Sequence, residues 1–161
     1  MPAAGTVGPK ASGSEPVFKR CFDSKTRHIR RKRSRNMSDS EQIEFGEKEV
    51  TELVAAFYRR VKQDDLIGPM YPENDFEGAE QRLRDFLIYR FVGSDKYIQE
   101  RGHPRLRMRH APFRIGVAER DRWLQLMDDA MTEVGVPGAA TLNLKVFFQQ
   151  VADFMRNVEP S

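Results

Sequence analysis

Cysteine occurs once, at Cys21, so the chain can form no internal disulfide, and with no Cys/His cluster it offers no structural zinc site. That scarcity suits a reducing, cytoplasmic setting. Long apolar runs are missing too: the longest, Leu53 to Tyr58, falls far short of the roughly 20 residues a bilayer-spanning helix requires. The sequence also lacks a His-Glu-x-x-His pair, a Gly-rich phosphate loop and a Ser nucleophile elbow, which makes hydrolase and kinase readings poor. No stretch shows the strict alternation or the Val/Ile/Thr richness of strands, and no internal repeat is visible.

What is present is one domain's worth of chain, 161 residues, with 39% hydrophobic residues, 11 Phe and 7 Met to build a core and 32% charged residues to cover it. The net charge of +3 conceals two unlike parts. Residues 1–36 hold ten Lys/Arg against two Asp/Glu, including the run Arg30-Arg31-Lys32-Arg33-Ser34-Arg35, and carry +8; the 17 basic and 22 acidic residues beyond leave the body at −5. Reading the overall basicity as a nucleic-acid-binding fold would mistake the tail for the fold.

Rich in Gly, Ser and Pro and without apolar periodicity, residues 1–36 read as a disordered basic N-terminal extension, and 37–161 as the folded domain. Three readings of the extension stay open. It is upstream sequence ahead of a start at Met37, the preferred reading; or an organelle transit peptide, since it is Arg- and Ser-rich and poor in acids; or a nucleic-acid-binding arm.

The body reads as all-α. Val50, Leu53, Val54, Phe57 and Val61 recur at helix-face spacing from Glu47 until Asp64-Asp65 and Gly68-Pro69 break the pattern. Asn74 and Asp75 offer caps for a second helix reaching Phe91, striped by Leu83, Phe86, Leu87 and Phe91 and stopped by Gly93. A short helix is expected from His103-Pro104, with Pro104 at its first position and His103 as cap, to Ala111-Pro112. A fourth runs from Val117 to Val134 with Trp123, Met127, Ala130 and Val134 on one face, and a fifth carries Leu144, Phe147, Val151, Phe154 and Val158.

Chemistry must then rest on few residues. Of the three histidines, His28 lies in the tail, so any metal centre in the body depends on His103 or His110, and neither sits in a paired ligand motif. Position alone favours a structural role for each.

The stretches Phe57-Tyr58, Met70-Tyr71-Pro72-Glu73, Gly78-Ala79-Glu80-Gln81-Arg82-Leu83, the run from Arg101 through Gly102, His103 and His110 to Phe113, and Glu119-Arg120-Asp121-Arg122-Trp123-Leu124 closely resemble group II truncated haemoglobins, in the family's order and spacing. The resemblance covers about Phe45 to Val158. It implies a two-on-two helical sandwich enclosing one haem b, a centre whose porphyrin leaves a single protein ligand to supply. His110 matches the family's proximal iron ligand. Tyr58, Tyr71 and Trp123 match its distal hydrogen-bond donors, and Ala79 and Leu83 its small and apolar distal positions. Arg82 is expected at the haem edge, with Tyr97, His103 and Arg107 as further candidates for the propionates and Phe86 and Phe113 as further haem contacts. His103 and His110, seven apart, would share one face of a continuous helix about 10 Å apart. One departure stands out, since Phe45-Gly46 offers a single Gly where the family commonly has two, which puts the first short helix in doubt.

The implied function is reversible binding of dioxygen and related small ligands, nitric oxide, carbon monoxide or peroxide, in the service of detoxification or redox chemistry. Nitric oxide dioxygenase or peroxidase-like activity is left open, as are an unidentified reductase and a homodimer. A donor-rich pocket holds oxygen too tightly for simple storage. The alternative, from another class, is a helical interaction or nucleic-acid-binding module that uses the basic tail. A haem-based gas sensor is a weaker third reading, because no output domain is attached.

Overall fold

A computed structural model describes residues 45–158; the extension at 1–36 lies outside the described residues. The first helix, α1 (Glu47–Val61), starts where the backbone N–H of Gly46 donates to Glu49 Oε2 at 2.9 Å, so one glycine suffices to open it. Its stripe is fully realised. Val50, Leu53, Val54, Ala56, Phe57 and Val61 are fully buried, each large side chain worth about 1.5–3 kcal/mol of burial.

Gly68 opens a 3-10 turn (Gly68–Met70), and a Cβ there would meet the Val61 carbonyl oxygen at 2.8 Å, so only glycine lets the chain double back this closely on α1. α2 (Phe76–Leu87) follows, widens into a π turn (Ile88–Val92), and stops at Gly93, whose φ of 91° suits a residue without a Cβ. The expected helix through Phe91 is therefore present, but its last turn is wound more loosely.

α3 (Lys96–Arg101) has no counterpart in the sequence reading: six residues with one apolar pair, Tyr97-Ile98, give too little periodicity to register. The short helix expected from Pro104 is α4 (Leu106–His110). Its start moves because Arg105 takes φ 44° and ψ 42°, a left-handed conformation that interrupts the helical path between His103 and His110. Their seven-residue spacing is thus not a spacing along one helix, and the 10 Å expectation falls with it.

α5 (Val117–Glu133) and α6 (Gly138–Met155) complete the fold. α6 ends before Val158 because Arg156 turns extended, at ψ 131°, which corrects the expected reach of the fifth helix. α1 packs against both α2 and α5, α5 against α6, and α4 against the end of α6, giving two helix pairs joined across the α1–α5 contact. Leu126, Met127 and Ala130 of α5 and Leu144 and Phe148 of α6 are buried in the core along with the α1 stripe. At one end Arg59 and Arg60 of α1 both pair with Glu133 of α5, the latter at 2.5 Å. Among the described residues no helix is long and apolar enough to cross a membrane.

Candidate functional site

One cavity of about 420 Å³ is lined by residues from all six α-helices and from the corner after α1. α1 contributes Tyr58, and the corner after it Ile67, Met70, Tyr71 and Pro72. Ala79, Arg82, Leu83, Phe86 and Leu87 come from α2 at the i, i+3, i+4 spacing that puts them on one face, and Tyr97 from α3. Leu106, Arg109 and His110 of α4 form another wall with Phe113 and Ile115; Glu119, Arg120 and Trp123 of α5 and Phe147, Phe148, Val151, Ala152 and Met155 of α6 close it. Of the residues singled out in the sequence, all but His103 and Arg107 meet here.

His110 is half-buried, and its Nδ1 lies 2.7 Å from the Leu106 carbonyl one helical turn earlier. A carbonyl can only accept, so Nδ1 carries the proton and Nε2 keeps its lone pair. The ring is therefore held in the tautomer suited to ligate a metal through Nε2.

Two aromatic side chains converge on Tyr71. The Tyr58 and Tyr71 rings meet edge to face at 5.6 Å, Phe57 and Trp123 lie 5.1 Å apart, and Trp123 also touches Phe148 at 5.5 Å. The Tyr58 hydroxyl and the Trp123 indole N–H are both hydrogen-bonded to the Tyr71 hydroxyl. Burial pushes the Tyr58 phenol well above its ordinary range, and its bond to Tyr71 pushes it further. Burial also raises Tyr71, while the bonds from Trp123 and Tyr58 work against the rise. Both phenols stay protonated at neutral pH and remain able to donate.

Arg82 Nη2 is 2.6 Å from Asp75 Oδ2, and both side chains are partly solvated. The carboxylate at the α2 N-cap thus serves the arginine; no side-chain cap bond forms there. Tyr97 is buried, which raises its phenol, and the nearby charges of Arg109, Arg101 and Arg82 oppose the rise. Together these guanidiniums make the Tyr97 side of the cavity a place for a carboxylate. Arg109 and Arg120 were missed in the sequence. The available signals were adjacency to His110 for the first and a shared helix face with Trp123 for the second.

His103 and Arg107 are turned elsewhere. His103 is exposed, and its Nδ1 accepts the Arg105 N–H at 3.2 Å, shaping the loop before α4. Arg107 Nη1 donates to the carbonyls of Phe154 at 2.5 Å and Arg156 at 3.2 Å, with its guanidinium over the Phe154 ring, so it ties α4 to the end of α6. Asn157 completes that tie: Nδ2 donates to the Phe113 carbonyl at 2.7 Å and the His110 carbonyl at 3.4 Å, and Oδ1 accepts the Ile115 N–H at 3.0 Å.

The family model described as bacterial-like globin matches residues 41–157. The chain belongs to that family. This globin is 41% identical over 94 residues to group 2 truncated hemoglobin YjbI of Bacillus subtilis (strain 168), a match covering 58% of this chain and 70% of the relative. The thermostable haemoglobin of the actinobacterium Thermobifida fusca superposes with a TM-score of 0.68 at 45% identity, over 71% of this chain and 93% of that one. The truncated oxygen-avid haemoglobin from Bacillus subtilis does so with a TM-score of 0.66 at 37% identity, over 70% and 94%. The globin described here is a group II truncated haemoglobin of two-on-two fold, as the order of its motifs led one to expect.

Proposed function

We propose that the chain binds haem b through His110 and uses it to take up dioxygen and related diatomic ligands reversibly, in the service of redox chemistry such as nitric oxide or peroxide detoxification. The observation that carries this reading is one cavity that joins an imidazole with its Nε2 free to a donor cluster of Tyr58, Tyr71 and Trp123.

The residues suit the group. Leu83, Phe86, Phe113, Phe147 and Met155 give the apolar walls a porphyrin needs, and Arg82, Arg109 and Tyr97 offer partners for its carboxylates. Among the described residues no three His, Cys, Asp or Glu side chains cluster as metal ligands, so a metal here would bring most of its ligands with its own cofactor. Bound haem supplies an iron that takes one protein ligand and leaves a sixth position for a small gas.

The chain's own part is positioning and electrostatics. His110 is oriented by Leu106 and by the Arg107 and Asn157 ties to α6. The phenol and indole donors face a water-poor space, where each good hydrogen bond to a ligand gaining negative charge is worth roughly 1–2 kcal/mol. A donor cluster of this kind, with Tyr71 held by Tyr58 and Trp123, slows ligand release, which fits detoxification better than delivery, and the relative named oxygen-avid supports that direction. The reaction needs an electron source, and the lone cysteine agrees with a cytoplasmic location.

Absorption spectra of the full-length chain purified from haem-supplied cells test the reading. The expected result is a Soret band that shifts on reduction, on oxygenation and on addition of carbon monoxide. A colourless protein that takes up no added hemin would overturn it.

A further inference from the structure

We infer that the exposed side of α4 and its flanking loops is the docking surface for an acidic one-electron carrier protein, through which electrons reach the cavity; the destination of the electrons rests on the proposed haem function. Charge is segregated to this place. Residues 101–118 hold Arg101, Arg105, Arg107, Arg109 and Arg114 and no Asp or Glu, within a body that carries −5 overall. Arg105, Arg107, Arg109 and Arg114 are exposed, and between them lie Met108, 62% exposed, and the exposed Ala111 and Pro112. An apolar centre containing Met inside an arginine rim is the anatomy of a protein interface.

Arg105 is informative in a second way. It is the one described non-glycine residue with a positive φ, and its side chain makes no capping bond to α4. Gly or Asn would hold this backbone with less strain, so helix geometry does not account for the arginine. A charge kept at a sterically costly position fits a role on the surface. Arg107 also contributes, because its carbonyl partners are neutral and leave its charge in place.

The reverse side of the same five-residue helix lines the cavity with Leu106 and His110, and the exposed Arg109 stands at the edge where the two sides meet. A carrier seated on Met108 is thus separated from the cavity by the thickness of α4. One electron passes from the reduced carrier to the redox group in the cavity per encounter, with no proton or atom transferred. A nucleic acid is the poorer fit, since the cations ring an apolar centre and do not track a phosphate backbone. A membrane is poorer too, because Met108 and Val117 are the only large apolar side chains exposed in residues 101–118, too few to insert into a bilayer.

The test uses the full-length chain and a plant-type [2Fe–2S] ferredoxin as the acidic probe. Titration with oxidised ferredoxin, which requires no turnover, should show binding at about 20 mM salt that is lost by about 0.3 M. Arg105→Asn with Arg114→Gln should weaken it at least fivefold, while Lys48→Gln on α1 with Lys62→Gln just past its end, the same change in net charge, changes it less than twofold. Met108→Ala should weaken binding several-fold with an unaltered salt dependence. Reduction by ferredoxin should slow in parallel, and reduction by a small neutral reductant should not. Equal weakening by the two charge pairs overturns the proposal in favour of long-range attraction. So does binding to duplex DNA or phosphatidylserine vesicles that responds to Arg105 and Arg114 when ferredoxin binding does not. Loss of the Soret band sinks the haem reading alone, because the titration with oxidised ferredoxin still decides the surface.

Discussion

Asp64 and Arg122, 58 positions apart, meet through Asp64 Oδ2 and Arg122 Nε at 2.6 Å, while Asp64 Oδ1 takes the backbone N–H groups of Ile67 at 2.8 Å and Leu66 at 3.1 Å. One buried carboxylate therefore fastens the end of α1, the start of the corner that carries Tyr71, and α5, which carries Trp123. Burial by itself would raise this carboxyl, but the Ile67 N–H, Arg122 and the Leu66 N–H outweigh it and hold the group below the ordinary carboxylate range.

Asp64→Asn should consequently cost about 1–3 kcal/mol, lowering the thermal midpoint by roughly 5 °C or more. The pH dependence has a definite sign. A depressed folded-state pKa contributes stability that is complete above the unfolded value, near 3.8, and disappears as pH falls through the lower folded value. Between pH 5 and 3 the natural protein should lose more stability than Asp64→Asn does. Parallel decline of the two in chemical denaturation would show that the carboxyl is not perturbed.

Asn157 makes the second prediction. Its side chain holds the Phe113, His110 and Ile115 backbone groups from a position beyond α6. Asn157→Ala should cost only about 1 kcal/mol of stability, since these bonds are exposed, yet should speed haem loss several-fold and shift the iron–histidine stretching band, which reports how His110 is held. An unchanged band alongside lowered stability would reduce Asn157 to a chain-end fastener.

The helices were legible where burial is one-sided. The α1 stripe from Val50 to Val61 is readable because every large apolar residue in it faces one core. α3 and the start of α4 were not, because they are set by geometry that leaves no period: six residues in one case, and a single left-handed Arg105 in the other. The site was legible through motif resemblance more than through pattern. Periodicity alone treats Tyr58 and Trp123 as core aromatics, and nothing in spacing says that both donors end at Tyr71. Arg107 shows the reverse error, an arginine beside the iron-ligand candidate whose guanidinium turns outward to the carbonyls of α6.

The third prediction separates the two histidines. His110→Ala should prevent stable haem incorporation, whereas His103→Ala, whose ring accepts the Arg105 N–H outside the cavity, should retain an unchanged five-coordinate ferrous spectrum. Reversal of this pattern would move the ligand to His103.

The last prediction concerns how three donors share one ligand. Trp123→Phe keeps an aromatic ring against Phe57 and Phe148 but deletes the indole N–H that reaches the Tyr71 hydroxyl. A packing tryptophan would show lost stability and little kinetic change. A donor to the oxygen ligand, directly or by fixing Tyr71, should instead lose about 1.4 kcal/mol of stabilisation, roughly tenfold in the equilibrium and mainly in the release rate. Carbon monoxide, less polar when bound, is the internal control, so oxygen release should speed up at least several-fold more than carbon monoxide release. Tyr71 accepts from both neighbours, and its own proton is then the one left to donate. Tyr71→Phe should therefore have the largest effect, and adding Tyr58→Phe or Trp123→Phe to it should change the rate by less than either does alone. Additive effects would mean that each donor reaches the ligand independently, and equal acceleration of both gases would mark Trp123 as a steric gate.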